Sequence, residues 1–282
     1  MSAYLFRRRN LGRTSCRELS RFSETGIQIV RNFLDRVPDR ADYIFRWGCT
    51  SNVGDGTIVN SAEAIHRVSD KRGFRLIMDE HDLCPRTFVA GQNVTQNLDF
   101  TYPLVVRPGM HHQGRKLFVV NNEAEFTAAA GRCGADWYAS PLINKVAEYR
   151  VFVVSGRAVC VAKKYPGNPE DVAWNVARGG RFENVRWQDW PLKAVKTSIQ
   201  AFLLSGLDFG GVDVMIGPEG ECFVLEINAA PSLTSPYRQK CFAKAFDYIV
   251  RNGKDVIPLQ EARGGWKKFI HPSVLTLPQA GA

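Results

Sequence analysis

Two carboxylates and a carboxamide interrupt an otherwise apolar alternation in GGVDVMIGPEGECFVLEINAAPS, residues 210–232: Asp213, Glu226 and Asn228. The segment reads as two strands joined by Gly217-Pro218-Glu219-Gly220. With those four residues as the turn, Val212 pairs with Leu225, Val214 with Phe223 and Ile216 with Glu221. Val212, Val214, Phe223, Leu225 and Ile227 then form a core stripe, and Asp213, Val224, Glu226 and Asn228 share the other face. Asp213 lies opposite Val224, with Glu226 as its diagonal neighbour about 7–8 Å away at the backbone. Two carboxylates about 4 Å apart repel by about 4 kcal/mol at an effective dielectric of about 20, and a small cation removes that cost. Hard oxygen donors of this kind suit Mg²⁺, which binds through one or two carboxylates plus the phosphates of a substrate. A solvated sheet face with ordinary acidic residues accounts for the same pattern, so the hairpin alone leaves both readings open.

Phosphate chemistry also needs cations. Four basic residues precede the acidic hairpin, Lys71, Arg107, Arg150 and Lys163, three of them on or beside expected strands. Arg107 opens a Gly-containing loop, residues 109–114, of the kind that brings backbone N–H groups to phosphate oxygens. Arg107-Pro108-Gly109 reads equally as a turn with a surface arginine. The adjacent His111 and His112 point apart on an extended chain, and no further His or Cys has ligand spacing, which favours phosphate or substrate contacts over zinc. The sequence has no Gly-x-Gly-x-x-Gly, no Walker lysine motif and no Gly-x-Ser-x-Gly elbow, which excludes the dinucleotide-binding, P-loop and nucleophile-elbow readings.

Several elements must hold these residues. Ser61 caps an expected helix running through Ile65, Val68, Leu76 and Ile77. YPLVVRP and RKLFVV are expected strands flanking the loop, followed by a helix whose capping box is Asn122 and Glu125. EYRVFVVSGRAVCVAKKY reads as a hairpin turning at Ser155-Gly156, a register that pairs Glu148 with Lys163 and sets Arg150 on the same face. Asp189 is an expected N-cap for a helix through Leu192, Val195, Ile199 and Phe202 that stops at Gly206, and a last helix covers YRQKCFAKAFDYIVRNG. Alternating helices and strands with two hairpins make this an α+β, or mixed α/β, chain.

A chain of 282 residues with 45% apolar content can bury a sizeable core and divide into subdomains. It lacks an apolar run of membrane-spanning length and a hydrophobic signal core, and its seven cysteines are scattered and odd in number. A cytoplasmic protein with reduced thiols and no membrane partner is the expectation. The net charge is +9, and the first forty residues hold nine arginines against four acids. Such a basic N-terminal arm suits an anionic substrate or a nucleic-acid partner, and a basic solubilising surface explains it as well.

The order of SDKRGFRLIMDEHDLCPRTF, YPLVVRP, a Gly-rich loop, EYRVFVVSGRAVCVAKKY, NVARGG and LDFGGVDVMIGPEGECFVLEINAAPSLTSP resembles the ATP-grasp superfamily, in its RimK-like carboxylate–amine ligase branch. The resemblance covers roughly residues 60 to 250, with the aspartate followed by Glu-x-Asn and Pro-Ser as its specific part. It implies an ATP-grasp fold, two α+β subdomains gripping ATP at about residues 61–138 and 139–260. A small α/β segment precedes them at 1–60, similar to that of small phage-type members, and a tail follows at 261–282. It implies ATP and Mg²⁺ as cofactors, with Mn²⁺ as a substitute, and carboxylate and amine substrates joined through an acyl phosphate. An alternative with the same fold attaches an amino acid to a modified nucleic-acid base or another anionic polymer, and a second is a non-catalytic nucleotide-binding module. Carried over by position, Asp213, Glu226 and Asn228 are implied metal ligands, and Arg107, Arg150 and Lys163 stabilise the transferring charge. Lys71, Arg107, His112, Gly114, Lys163 and Asn175 are implied phosphate or nucleotide contacts, and Pro141, Leu142 and Ile143 form the hinge whose backbone reads adenine. Arg107 stands where the family usually has lysine, and Ser140 where a glutamate is usual.

Overall fold

The computed structural model describes residues 1–8, 11–31, 40–51, 53–91, 100–109, 116–168, 171–174, 179–258 and 265–279. Three sheets organise the described residues. The first is entirely parallel, with order β2-β1-β3-β4, from β1 (Ala3–Arg7), β2 (Gln28–Arg31), β3 (Tyr43–Trp47) and β4 (Thr57–Val59). Helix α1 (Arg13–Phe22) makes the crossover from β1 to β2. The expected N-terminal arm is thus a central strand and a packed helix, and Arg7 is only 6% exposed. Short apolar runs such as Leu5-Phe6 and Ile44-Phe45 are buried on both faces, as a parallel sheet requires.

Where one helix was expected after Ser61, two occur: α2 (Ala62–Ser69) and α3 (Lys71–Asp79). Ser61 accepts from Ala64 N, and Asp70 restarts the chain by accepting from Gly73 N. That second cap puts Lys71 at the first position of a new helix.

The middle sheet is antiparallel with order β5-β8-β6-β7: β5 (Phe88–Val89), β6 (Leu104–Pro108), β7 (Phe118–Val120) and β8 (Trp137–Pro141). Helix α4 (Glu123–Cys133), capped by Asn122, packs on it. Phe88, Leu104, Val106, Val120, Phe126 and Ala139 form a small core of their own, with Phe100 and Trp137 edge-on to Phe126.

The third sheet is antiparallel with order β11-β10-β9-β12-β13: β9 (Ala147–Val154), β10 (Arg157–Tyr165), β11 (Arg181–Val185), β12 (Phe209–Ile216) and β13 (Cys222–Asn228). Helix α5 (Leu192–Ser205) covers one face through residues such as Ile199 and Phe202. It starts behind Pro191, and Asp189 belongs to a short 3-10 turn (Trp187–Asp189) instead of capping it. On the opposite face α6 (Pro236–Asn252) sets Phe242 against Phe152 and Phe209, covering only one end of the sheet. Trp47 stacks on Phe209, so the first and third sheets share one core.

Both expected hairpins form, and each carries a bulge that changes its register. Ser155 and Gly156 make the turn with φ of 46° and 72°, as a tight primed turn demands. A shift between Ala158 and Cys160 then pairs Glu148 with Lys164, where the simple register gave Lys163. In the second hairpin, Val214 pairs with Val224, and a shift between Asp213 and Val214 sets Asp213 directly opposite Glu226. One extra residue on one strand turns every later side chain to the other face. The turn is also one residue longer than expected, 217–221, so Ile216 pairs with Cys222, Val224 joins the core and Phe223 leaves the expected stripe; the bulge then adds Leu225 and sets Glu226 opposite Asp213.

Candidate functional site

The uncovered end of the third sheet faces the middle sheet across a cleft lined by both, with Lys71 and Arg75 of α3 at its side. Its floor is a charged cluster on adjacent strands. Arg150 of β9 grips Asp213 of β12 side-on, Nε to Oδ1 at 2.5 Å and Nη2 to Oδ2 at 2.7 Å. Lys164 of β10 ion-pairs with Glu148 and stands 3.6 Å from Asp213 Oδ2. Lys145 reaches the other oxygen of Glu148 at 2.5 Å, donates to Val172 O at 2.9 Å and lies 4.5 Å from the centre of the Trp174 ring. Lys71 contacts Glu226 Oε2 at 2.7 Å, and Asn228 donates Nδ2 to Glu226 Oε1 at 3.2 Å.

These contacts settle the protonation of the floor. Burial pushes the Asp213 carboxyl up, but Arg150 and Lys164 outweigh it and hold the pKa at about 2. Burial and the charge of Asp213 push Glu226 up as well, and Lys71 and Arg150 bring it below the usual carboxylate range. Lys164 is the converse case: burial works against its charge, yet Asp213 and Glu148 raise its pKa. Lys145 ends lower than an ordinary lysine because burial dominates there. Asp213 and Glu226 are therefore carboxylates, and Lys164 an ammonium, at neutral pH.

Among the described residues five cations line the cleft, Lys71, Arg75, Arg107, Lys145 and Lys164, against three carboxylates, Glu148, Asp213 and Glu226. That surplus of two positive charges suits a polyanion that carries its own metal. Asp213, Glu226 and Asn228 offer hard oxygens on one face of a hairpin, a donor set that fits Mg²⁺ shared with phosphate. Each carboxylate oxygen in the cluster keeps lone-pair capacity beyond the hydrogen bond it accepts. Among the described residues no three or more His, Cys, Asp or Glu are grouped so as to hold a metal ion, so a metal here would complete its shell with water or a ligand.

Part of the cleft lining is apolar. Val105 of the middle sheet, Leu142 and Ile143 of the connecting segment, and Met215 and Leu225 of the third sheet line it together. The bulge in β13 matters here, because it sends Leu225 into the cleft and Glu226 to the metal face. Arg75 secures it, donating Nη1 to the carbonyls of Val224 and Leu225 at 3.2 and 3.4 Å.

Among the residues singled out from the sequence, Lys71, Arg107, Pro141, Leu142, Ile143, Asp213 and Glu226 line this cleft, and Arg150 and Asn228 touch its acids. Arg107 lies 6.0 Å from the centre of the Tyr138 ring, with its Nε buried and unpaired. Lys163 does not belong to the cleft. It faces the other side of β10, 5.1 Å from the Tyr165 ring, in a separate hollow with Tyr149, Glu183 and Asp189. Lys164 takes the position assigned to it, and the bulge is the reason. His112, Gly114 and Asn175 lie outside the described residues. Sequence reasoning missed Arg75, Lys145, Lys164 and Trp174; the Lys163-Lys164 doublet was a visible signal of ambiguity.

A family model of the ATP-grasp domain, the third family of its clade, matches residues 56–250, well over half the chain. A stretch of 87 residues is 32% identical to a probable alpha-L-glutamate ligase of Aeromonas salmonicida (strain A449), covering 31% of this chain and 28% of that relative's length. A Chryseobacterium gregarium RiPP-associated ATP-grasp ligase, solved with ADP and a leader and core peptide, superposes with a TM-score of 0.60 at 15% identity, over 86% of this chain and 96% of its own. D-alanine–D-alanine ligase from Bacillus anthracis gives 0.63 at 14% identity, over 90% and 97%. At such identities these two likenesses concern the fold.

Proposed function

Starting from a chain that belongs to the ATP-grasp domain family, we propose that it is a ligase joining a carboxylate to an amine at the expense of ATP. The observation that carries this reading is the facing pair Asp213 and Glu226, with Asn228 beside them and Lys71, Arg150 and Lys164 around them. A site without anionic substrate or metal has no physical use for so many buried charges.

In the reaction, a carboxylate oxygen of the donor attacks the γ-phosphorus, the bond to the β-phosphate oxygen breaks, and ADP leaves. The amine nitrogen then attacks the acyl phosphate carbon, expels phosphate and loses a proton. Asp213, Glu226 and Asn228 would hold Mg²⁺, or Mn²⁺ in its place, which supplies charge neutralisation at the phosphates. Lys71, Arg107 and Lys164 would balance the phosphate oxygens from the cleft walls. Arg150 fixes the orientation of Asp213 through its side-on grip. Pro141, Leu142, Ile143, Met215 and Leu225 would take the adenine in the apolar slot, which excludes water from that end. Residues 61–138 and 139–260 act as the two gripping subdomains, with 1–60 and 261–282 flanking them, in a protein that works in the cytoplasm.

The test is ADP release with Mg-ATP across a panel of amino acids and peptides, with mass spectrometry of the products. The expected result is release that depends on both a carboxylate and an amine, with a dehydrated adduct as product. ATP binding without carboxylate-dependent ADP release would reduce the chain to a nucleotide-binding module. The net charge of +9 favours one variant of this reading, in which the acceptor is a modified nucleic-acid base or another anionic polymer. Its signature is a binding constant that falls with salt by about 0.9 log units per log unit for each neutralised phosphate.

A further inference from the structure

Strand β3 ends in Arg46-Trp47, and the two side chains leave on opposite faces. Trp47 enters the main core, 5.4 Å from Phe209 and 6.0 Å from Phe242 between ring centres. Arg46 leaves on the other face, with Phe6 of β1 as its paired neighbour and Ile44 two residues before it. Only 7% of Arg46 is exposed. Both Nε and Nη1 are buried with no hydrogen-bond acceptor among the described residues. Glu63, exposed in the first turn of α2, feels this charge without bonding either nitrogen. A buried guanidinium whose nitrogens lack an acceptor is costly, and the exposed carboxylate of Glu63 offsets only part of that cost.

Its position suggests what compensates it. The strand order β2-β1-β3-β4 reverses between β1 and β3, and Arg46 stands at the carboxyl end of β3. Ligands of open parallel sheets sit in that crevice, outside the carboxyl ends where the order reverses. This end of β3 also borders the proposed reaction centre. Gly48 runs so close to the loop after β13 that a Cβ on it would lie 2.9 Å from Cβ of Ala230, two residues beyond Asn228.

We propose that Arg46 receives a carboxylate of one of the two substrates, distinct from the carboxylate that is activated. The proposal rests on the ligase reading and adds the substrate class: one reactant carries a second, non-reacting carboxylate. A planar guanidinium matches a planar carboxylate in shape and hydrogen-bond pattern. One positive charge in an apolar enclosure also balances one negative charge, whereas a phosphate would bring a second.

The experiment compares the full chain with Arg46→Met and Arg46→Lys. The first readout needs no turnover: thermal denaturation with glutamate, a dicarboxylate, or acetate added. Glutamate raises the melting temperature of the parent more than acetate does, and Arg46→Met loses that difference while melting no lower than the parent without ligand. Mg-ATP affinity changes by about twofold or less in both variants, because Arg46 is not among the residues lining the nucleotide cleft. In turnover, KM for the reactant bearing the second carboxylate rises about 30-fold or more in Arg46→Met. Blocking that carboxylate as its amide, on donor and acceptor in turn, shows which reactant carries it, because the blocked reactant no longer distinguishes parent from variant. Arg46→Lys keeps part of the effect. Equal responses of parent and both variants to glutamate and to every blocked reactant overturn the proposal. So does a Met variant that loses stability while the Lys variant, folded, responds to glutamate no differently from the parent. Absence of ADP release in the parent is a separate result that sinks the ligase reading, and the glutamate shift still decides the site.

Discussion

Lys163 and Lys164 are neighbours in sequence that face opposite sides of β10, so replacing each by methionine tests the register directly. Lys164→Met removes a side chain 7% exposed that pairs with Glu148 and lies 3.6 Å from Asp213. At an effective dielectric of about 20, a unit pair at that distance attracts by about 5 kcal/mol before desolvation is counted. Glu148 keeps Lys145 at 2.5 Å, and Asp213 keeps Arg150, so neither acid is left alone. The net stability loss is then about 2–3 kcal/mol, below the 3–5 kcal/mol of a lone broken pair. Loss of a cation facing phosphate weakens Mg-ATP by about 2–5 kcal/mol, or about 30- to several-thousand-fold. Lys163→Met removes a contact to the Tyr165 ring at 5.1 Å. Such a contact is worth about 0.5–1 kcal/mol, with no consequence for ATP. Urea unfolding and Mg-ATP titration of both variants under identical salt give the comparison. A silent Lys164→Met beside an ATP-blind Lys163→Met would refute the bulge and the site built on it.

Other perturbations reach different parts of the account. The pKa of Asp213 is depressed to about 2, so its contribution to stability is full above the unfolded value of about 3.9 and fades as pH falls toward 2. Urea midpoints should therefore drop between pH 5 and pH 3 in the parent, and less so in Asp213→Asn; parallel profiles would contradict the assignment. Asn60 is fully buried with φ of 67° and exchanges hydrogen bonds with Asp208 N, Phe209 N and Phe209 O, clamping β4 to the start of β12. Asn60→Ala should cost about 2–4 kcal/mol of stability and leave Mg-ATP affinity as it was, measured on protein still folded at low temperature. At Arg107, lysine should keep most ATP affinity if charge alone matters, and lose about tenfold if the planar fork makes a two-point contact. An alanine variant equal to the parent would place Arg107 outside the binding machinery.

The parts legible in the sequence are those set by local chemistry. Asp213, Glu226 and Asn228 stood out because acids break an apolar alternation, and the caps Ser61 and Asn122 because a side-chain oxygen precedes a helical period. Registers were not legible. A bulge has no reliable residue signature, yet the one in β10 exchanges Lys163 for Lys164; in the acidic hairpin a five-residue turn, 217–221, puts Val224 in the core where Phe223 was expected, and the β13 bulge at Leu225 sets Glu226 opposite Asp213. Arg75 lay hidden in a helix whose other cations look the same in sequence, and only the packing of α3 against β13 shows that it holds two strand carbonyls. The nine early arginines looked like an arm because charge was counted without the apolar runs that make β1 a central strand.

The central claim is that the acidic hairpin holds the metal of a bound nucleotide. Isothermal titration of ATP into the parent and into Glu226→Gln, each with and without Mg²⁺, tests it most directly. The parent should bind ATP at least about tenfold more tightly with Mg²⁺. Glu226→Gln, with unchanged circular dichroism, should lose most of that metal dependence. Equal metal dependence in the two proteins, or no ATP binding by the parent with Mg²⁺ present, would contradict the account.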